Sequence, residues 1–379
     1  MNILFINCTC GNGSTGKIVV QKAIEYDKEG HNVRIAYGRD EFIPEELLKY
    51  AIRIGTNKDL YAHVILTRLF DKHGLASKKA TAKFIRWAES FSPDLLWLHN
   101  IHGYFINYEM LFSWIKTRPE MEVKWTLHDC WAFTGHCVHF ESVKCNKWKS
   151  GCYRCPLSGT YPGSFLMDNS ENNYERKKDA FQGVSKLSII TPSKWLASMV
   201  SESFLKEYPI SVVHNSINTE IFCPRKSNFK NEIKSENKFI VLGVASEWYM
   251  KGFEDFIQLA TILGEEYKVV LVGLSMKEIA RLPHTMVGLA RTRNQEKLAE
   301  IYTAADVFVN LTYQDTYPTV NLEAQACGTP CITYRTGGSP ESVPEQNVLE
   351  QGDIEGVANL IRTRSYKILE KRDNNGESL

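Results

Sequence analysis

Two successive series of short apolar runs, separated by helical stripes, constrain this chain more than any other feature. In the first, residues 2–8 form a β-rich run that ends in a Gly/Ser/Thr loop, and helical spacing follows over 18–26. Gly30 then stops the helix before a second run at 33–37, and further runs stand at 95–98, 123–127, 189–191 and 210–213. The second series has runs at 239–244, 269–272, 307–311 and 331–334. Between these runs lie helical stripes, Phe253, Phe256, Ile257, Ala260 and Leu263 and then Leu298, Ile301, Tyr302 and Ala305. Strands alternating with helices predict parallel, doubly wound sheets. The polar stretch 223–237 reads as a linker. The expectation is two Rossmann-like α/β domains, residues 1–222 (with a Cys-rich insertion at 130–156) and 238–379, facing across a cleft where a ligand would bind.

A length of 379 residues suits two such cores better than one. No apolar run approaches the roughly eighteen residues of a membrane span. The N-terminus has no charged start, apolar stretch and cleavage site of an export signal, so a cytoplasmic protein is expected, with its ten cysteines as thiols or metal ligands. The net charge of +1 hides a division: 31 cations against 24 anions in residues 1–235, and 14 against 20 in 236–379. The basic first half reads either as facing an anionic partner or as an uneven but solvated surface; no nucleic-acid partner is expected.

Three strand-end motifs carry candidate chemistry. Gly11 to Lys17 has the G-x4-G-K spacing of a phosphate loop between strand and helix. Ile18 stands where an ATPase would need Ser or Thr, so the loop reads as an anion cradle around Gly16, or as a tight turn that starts a helix. His128 and Asp129 follow the run at 123–127, and His99 and His102 repeat that placement. An imidazole there can bond a sugar hydroxyl or phosphate oxygen and assist proton movement. The third motif runs from Asp315 to Glu323 and on into Ala-Gln-Ala-Cys-Gly-Thr-Pro. Two carboxylates bracket a loop entering a helix, whose first amides, near residues 317–320, suit a diphosphate. Glu323 is placed for the hydroxyls of a ribose and Asp315 for those of a sugar.

The carboxylates, eight apart and followed by A-x-A-x-G-x-P, resemble the signature of retaining GT-B glycosyltransferases, where Glu-x7-Glu is usual. Other landmarks resemble the same family in order: Thr15-Gly16-Lys17 with Gly30-His31, the Val213-His-Asn-Ser-Ile-Asn218 segment, and Gly243 with Lys251-Gly252. The sequence departs at Asp315, at Ala245-Ser246-Glu247-Trp248 where an Arg is usual, and in a short stretch after Ile354 that leaves little for a C-terminal crossing helix. The resemblance implies a UDP- or GDP-sugar donor, a glycan or lipid-diphosphate-linked acceptor, retained configuration and no cofactor for catalysis. The implied catalytic residues are His128, Lys251, Asp315 and Glu323. Donor contacts are implied for Gly16, Ser246, Lys251, Arg291, Thr316, Tyr317, Thr319, Val320 and Glu323. The nearest likeness is to capsule, colanic acid and O-antigen transferases. A nucleotide-sugar epimerase of the same fold and a binding protein without turnover are the rival readings.

Cys137, Cys145, Cys152 and Cys155, the last pair in CxxC spacing, suit a tetrahedral structural zinc, or else are packed thiols. The case for zinc is a loop-rich segment short of apolar residues to order it. Lys78, Lys79, Lys83, Arg86, Phe84, Trp87 and Phe91 read as a surface helix with its aromatics in the core, with contact to the cytoplasmic membrane face as the alternative.

Overall fold

A computed structural model of the chain describes residues 1–39, 42–292 and 294–367. It divides into two compact units, Met1–His214 and Asn215–Leu379. The first holds a seven-stranded sheet: β1 (Asn2–Ile6), β2 (Asn32–Tyr37), β3 (Ala51–Arg53), β4 (Leu95–Leu98), β5 (Glu122–Thr126), β6 (Leu187–Thr191) and β7 (Ile210–Val212). All its pairings are parallel, in the order β3-β2-β1-β4-β5-β6-β7. The second holds β8 (Phe239–Val244), β9 (Tyr267–Leu274), β10 (Val287–Ala290), β11 (Val307–Asn310), β12 (Cys331–Tyr334) and β13 (Val348–Leu349). These too are all parallel, ordered β10-β9-β8-β11-β12-β13.

The strands are what their composition requires. A parallel sheet covered on both faces needs near-continuous apolar runs, and all four residues of β4, β11 and β12 are buried. Strand order reverses between β1 and β4 in the first unit and between β8 and β11 in the second. Loops leaving the carboxyl ends of such neighbours diverge to opposite faces and open a crevice.

Two expectations need correction. The boundary falls at His214/Asn215, and 223–237 is not a linker. Phe222 and Phe229 are 3 % and 2 % exposed in the second unit's core, and a short helix, Phe229–Glu232, lies inside the stretch. Two buried aromatics outweigh a polar composition, because each removes a large apolar surface from water. The last described helix, Ile354–Thr363, packs on the helix Phe253–Leu263; the expectation that little is left for a crossing helix falls partly on residues beyond 367, outside the described residues.

The helix Lys78–Phe91 takes the ordinary reading. Phe84 is buried, and Trp87 and Phe91 pack on the same core, their rings stacked 5.4 Å apart.

Candidate active site

In the second unit the sequence-derived carboxylates and cation meet at the β8/β11 switch point. The loop after β8 is strained into shape: Met250 (φ 58°) and Gly252 (φ 74°) are both left-handed and flank Lys251. A Cβ on Gly252 would lie 2.5 Å from the carbonyl oxygen of Leu311, so only glycine lets this loop close against the end of β11. The Met250 carbonyl accepts from Tyr313 N–H at 2.8 Å. Lys251 is thereby delivered to three oxygens: Thr312 Oγ1 at 3.0 Å, the Gln314 carbonyl at 2.9 Å and Asp315 Oδ2 at 2.8 Å. Lys251 and Asp315 keep 28 % and 20 % of their side-chain surface exposed, so the ion pair is reachable.

Asp315 also organises the turn into the next helix. Its Oδ1 accepts from Tyr317 N–H at 3.2 Å and its carbonyl from Gly338 N–H at 3.2 Å. The helix Thr319–Ala326 begins after Pro318 with no side-chain cap, leaving Thr319 and Val320 in its first turn at the positive end of the helix dipole. Glu323, one turn in, accepts from the Tyr302 hydroxyl at 3.1 Å. Burial, with the Glu323 charge beside it, holds Tyr302 far above the usual phenol range, so it remains a donor. Thr316 and Tyr317 are buried, and the Tyr317 carbonyl accepts from Asn215 Nδ2 at 3.1 Å. Ser246 and Arg291 are exposed on the loops after β8 and β10.

Sequence reasoning missed Tyr302, Thr312, Asn215 and the Gly337–Gly338 turn after β12. Only the glycine pair had a readable signal, as Gly-Gly two residues beyond a strand. The others are set by packing.

In the first unit Gly16 lies in the helix Gly13–Lys28, where its missing side chain lets the helix approach the loop. A Cβ there would meet Thr9 Oγ1 at 2.7 Å. At the ends of β4 and β5 the histidines pair differently from their order in the chain. His128 Nε2 lies 2.9 Å from His99 Nδ1 with the rings stacked, while Asp129 Oδ2 lies 2.7 Å from His102 Nε2. His102 Nδ1 is 3.2 Å from the Tyr161 hydroxyl, a neighbour 59 residues away that no local pattern announces. Burial pulls His128 down to about 4 against the opposing Asp129 charge, so it is a neutral imidazole at physiological pH. Asp129 is held at about 2: burial opposes ionisation, and the charge and hydrogen bond of His102 overcome it. At neutral pH the two neighbours are thus a neutral imidazole and a carboxylate.

The expected four-thiol zinc set is not assembled. Among the described residues no three His, Cys, Asp or Glu side chains are placed to hold a metal ion. Cys137, Cys145, Cys152 and Cys155 do line one cavity, together with Phe140 and Trp148. The neighbouring Cys137 lowers the Cys155 thiol to about 7, while Cys155 and burial raise that of Cys137. Cys152 accepts from Gly135 N–H at 3.2 Å, and burial pushes its thiol up to about 11. What orders the segment is aromatic packing that the composition argument overlooked: Trp131, Phe133, Phe140 and Trp148 are at most 5 % exposed in the main core. Polar ties add to this. Lys177 Nζ donates to the Trp131 and Thr134 carbonyls at 2.7 and 2.9 Å, and His136 pairs with Asp71 at 2.6 Å.

Residues 224–374 match the family Glycosyl transferases group 1. The chain is 23 % identical over 371 residues to the putative colanic acid biosynthesis glycosyl transferase WcaC of Escherichia coli K12, covering 92 % of this chain and 89 % of that protein. It is 29 % identical over 151 residues to the N,N'-diacetylbacillosaminyl-diphospho-undecaprenol alpha-1,3-N-acetylgalactosaminyltransferase of Campylobacter jejuni, 37 % of this chain and 40 % of that protein. The solved structure of HepE from Anabaena in complex with UDP-glucose aligns at a TM-score of 0.63 and 16 % identity, covering 96 % of this chain and 89 % of that one. That likeness, with the two parallel sheets, establishes the GT-B fold.

Proposed function

We propose, from the premise that this chain is a glycosyltransferase of the group 1 family, that it moves a sugar with retention from a UDP- or GDP-sugar to a lipid-diphosphate-linked glycan during surface polysaccharide synthesis. One observation carries the donor assignment: the Lys251–Asp315 pair sits at the β8/β11 switch point, beside the uncapped start of the helix that bears Glu323. Anions are favoured there by the ammonium and the helix dipole together. In this reading the diphosphate takes the Lys251 ammonium, Glu323 accepts the ribose hydroxyls, and Asp315 accepts a hydroxyl of the sugar. As the bond between the anomeric carbon and the phosphate oxygen breaks, charge grows on that oxygen. Lys251 and the amides of Thr319 and Val320 stabilise it without reorganisation. The acceptor hydroxyl bonds to the anomeric carbon and its proton passes to the leaving diphosphate. His128 and the His102–Asp129 pair are assigned to the acceptor, as groups that bond hydroxyls.

The acceptor class is supported by the relatives: the Campylobacter enzyme's name describes an undecaprenol diphosphate acceptor, and the Escherichia coli protein's a colanic acid role. A thermal-shift screen over nucleoside diphosphates and their sugars tests the donor, since a ligand of the native state raises its stability with affinity. UDP or GDP, alone and as a sugar conjugate, is expected to raise Tm. No shift with either nucleotide would remove the donor assignment. Nucleoside diphosphate release that needs no acceptor would favour an epimerase.

A further inference from the structure

His99, which the transfer step does not use, follows β4 directly and is 1 % exposed. Its backbone is fixed on two sides. The N–H donates to the Ile6 carbonyl at 2.9 Å, and the carbonyl accepts from Trp125 Nε1 at 3.1 Å. Its ring lies nearly parallel to those of Trp97 and His128, at 22° and 17°.

The two nitrogens of this ring have unequal surroundings. Nδ1 lies 2.9 Å from His128 Nε2. Nε2 is buried and has no hydrogen-bond partner among the described residues. Burial keeps both imidazoles neutral at physiological pH, with His99 well below its ordinary value and His128 at about 4. Each ring therefore carries one proton, and one of the two rings donates across the contact.

Two arrangements satisfy that contact. If His128 donates, the single proton of His99 must sit on Nε2, as a buried N–H with nothing to receive it. That N–H lies in the ring plane and runs nearly parallel to the Trp97 indole, so the indole face does not replace a partner. If His99 donates from Nδ1, only a lone pair is left buried. Buried N–H groups without partners are the rarer defect, so the second arrangement wins. We propose that His99 is a positioning residue that donates to His128 Nε2 and thereby fixes the His128 proton on Nδ1.

With one nitrogen engaged and the other protonated, His128 has no lone pair for a substrate proton. It serves as a hydrogen-bond donor and not as a general base, which leaves the acceptor's proton to the departing diphosphate. That consequence rests on the glycosyl-transfer reading above; the tautomer does not. His102 provides an internal contrast. The Asp129 carboxylate can only accept, so His102 carries a proton on Nε2.

Long-range proton–nitrogen correlation spectra of histidine-labelled protein, recorded without nucleotide sugar or acceptor, read the protonated nitrogen of each ring. Spectra of His99→Asn and His128→Asn assign the two signals. His99 and His128 are expected to carry their protons on Nδ1, and His102 to carry one on Nε2. A wild-type His128 proton on Nε2, or a signal averaged over both tautomers, would overturn the proposal whatever the substrates prove to be. His99→Asn keeps an amide N–H where Nδ1 stood, whereas His99→Asp puts an acceptor there. With folding checked by Tm, the Asn variant should keep kcat within about threefold and the Asp variant should lose at least about tenfold, because a wrong tautomer disables an imidazole site. The Asp variant should also show a proton on His128 Nε2. A folded Asp variant with wild-type turnover, or with the His128 proton still on Nδ1 alone, would equally sink the role of His99. If the Asp variant does not fold, the wild-type spectrum decides. The expected tautomers in a protein that transfers no sugar would leave His99 its role and remove the transfer reading.

Discussion

Lys251 shows how much one side chain depends on its two neighbours in sequence. Met250 and Gly252 take left-handed conformations so that the ammonium reaches Thr312, Gln314 and Asp315 at the end of β11. Asp315, which stands where the family pattern has glutamate, is short enough to bond both the ammonium and the Tyr317 amide. The pair places Lys251 before a ligand arrives. Lys251→Ala should therefore lower kcat by about 10²–10³, the range seen when one charge-stabilising donor is removed. UDP or GDP affinity should fall with it, while Tm changes little. Steady-state kinetics with intact donor, together with calorimetric titration of the free nucleotide, provide the check. Unchanged turnover would take the diphosphate away from Lys251.

The Cys-rich stretch between β5 and the helix Ser170–Phe181 poses the question at the scale of an element. Its only regular pieces among the described residues are single turns, yet it is anchored by packed rings: Phe140 stacks on Trp148 at 5.2 Å, and Phe133 meets Trp148 edge-on at 5.3 Å. If aromatics order it, Trp148→Ala should cost about 3–5 kcal/mol, the usual penalty for emptying a large core site. Cys145→Ser, at a half-buried position, should cost no more than about 1 kcal/mol, as surface-near substitutions do. Denaturant unfolding measures both. A Cys145→Ser loss as large as that of Trp148→Ala, accompanied by release of zinc on elemental analysis, would restore the four-thiol centre.

The two units should respond differently to acid. Burial lowers His63 and His128 to about 4 and holds His73 and His99 well below their ordinary value of 6.5. All four belong to the first unit; the second contains only His284. Between pH 6.5 and 4 the unfolded chain takes up protons that these folded imidazoles refuse, so the stability of the first unit falls as pH drops through that window. At about 1.4 kcal/mol per pK unit, the His63 and His128 shifts are together worth several kcal/mol, and His73 and His99 act in the same direction. His136 acts the other way: burial would lower it, but Asp71 raises it, so its contribution is present below pH 6.5 and lost at higher pH. Seven of the eight tryptophans lie in the first unit, so their fluorescence reports it. A tryptophan transition that moves to lower temperature between pH 6.5 and 4.5, ahead of the global melt, is expected. A transition indifferent to pH over that range would refute it.

Much of this protein was legible before folding, for physical reasons. Parallel strands covered on both faces must be apolar throughout, so 95–98, 239–244 and 331–334 could be read to the residue. Glycine at 252 and the carboxylates at 315 and 323 stood in a local order that the site reproduces. Sequence proximity misled where side chains choose partners in space. Asp129 adjoins His128 but pairs with His102, and Glu323 is held by Tyr302, 21 residues away. The Cys spacing does bring four thiols to the lining of one cavity, but spacing alone does not set the distances between them. The helix Asn57–Phe70 carries apolar residues around its whole circumference, yet its fully buried side chains are the polar His63 and Thr67. The hydrogen bonds that His63 and Thr67 make inside the fold are tertiary and leave no mark in the local pattern. Composition and periodicity determine which segments leave water; which polar groups must be satisfied once they do is settled by tertiary neighbours, because a buried donor without a partner costs more than an exposed leucine.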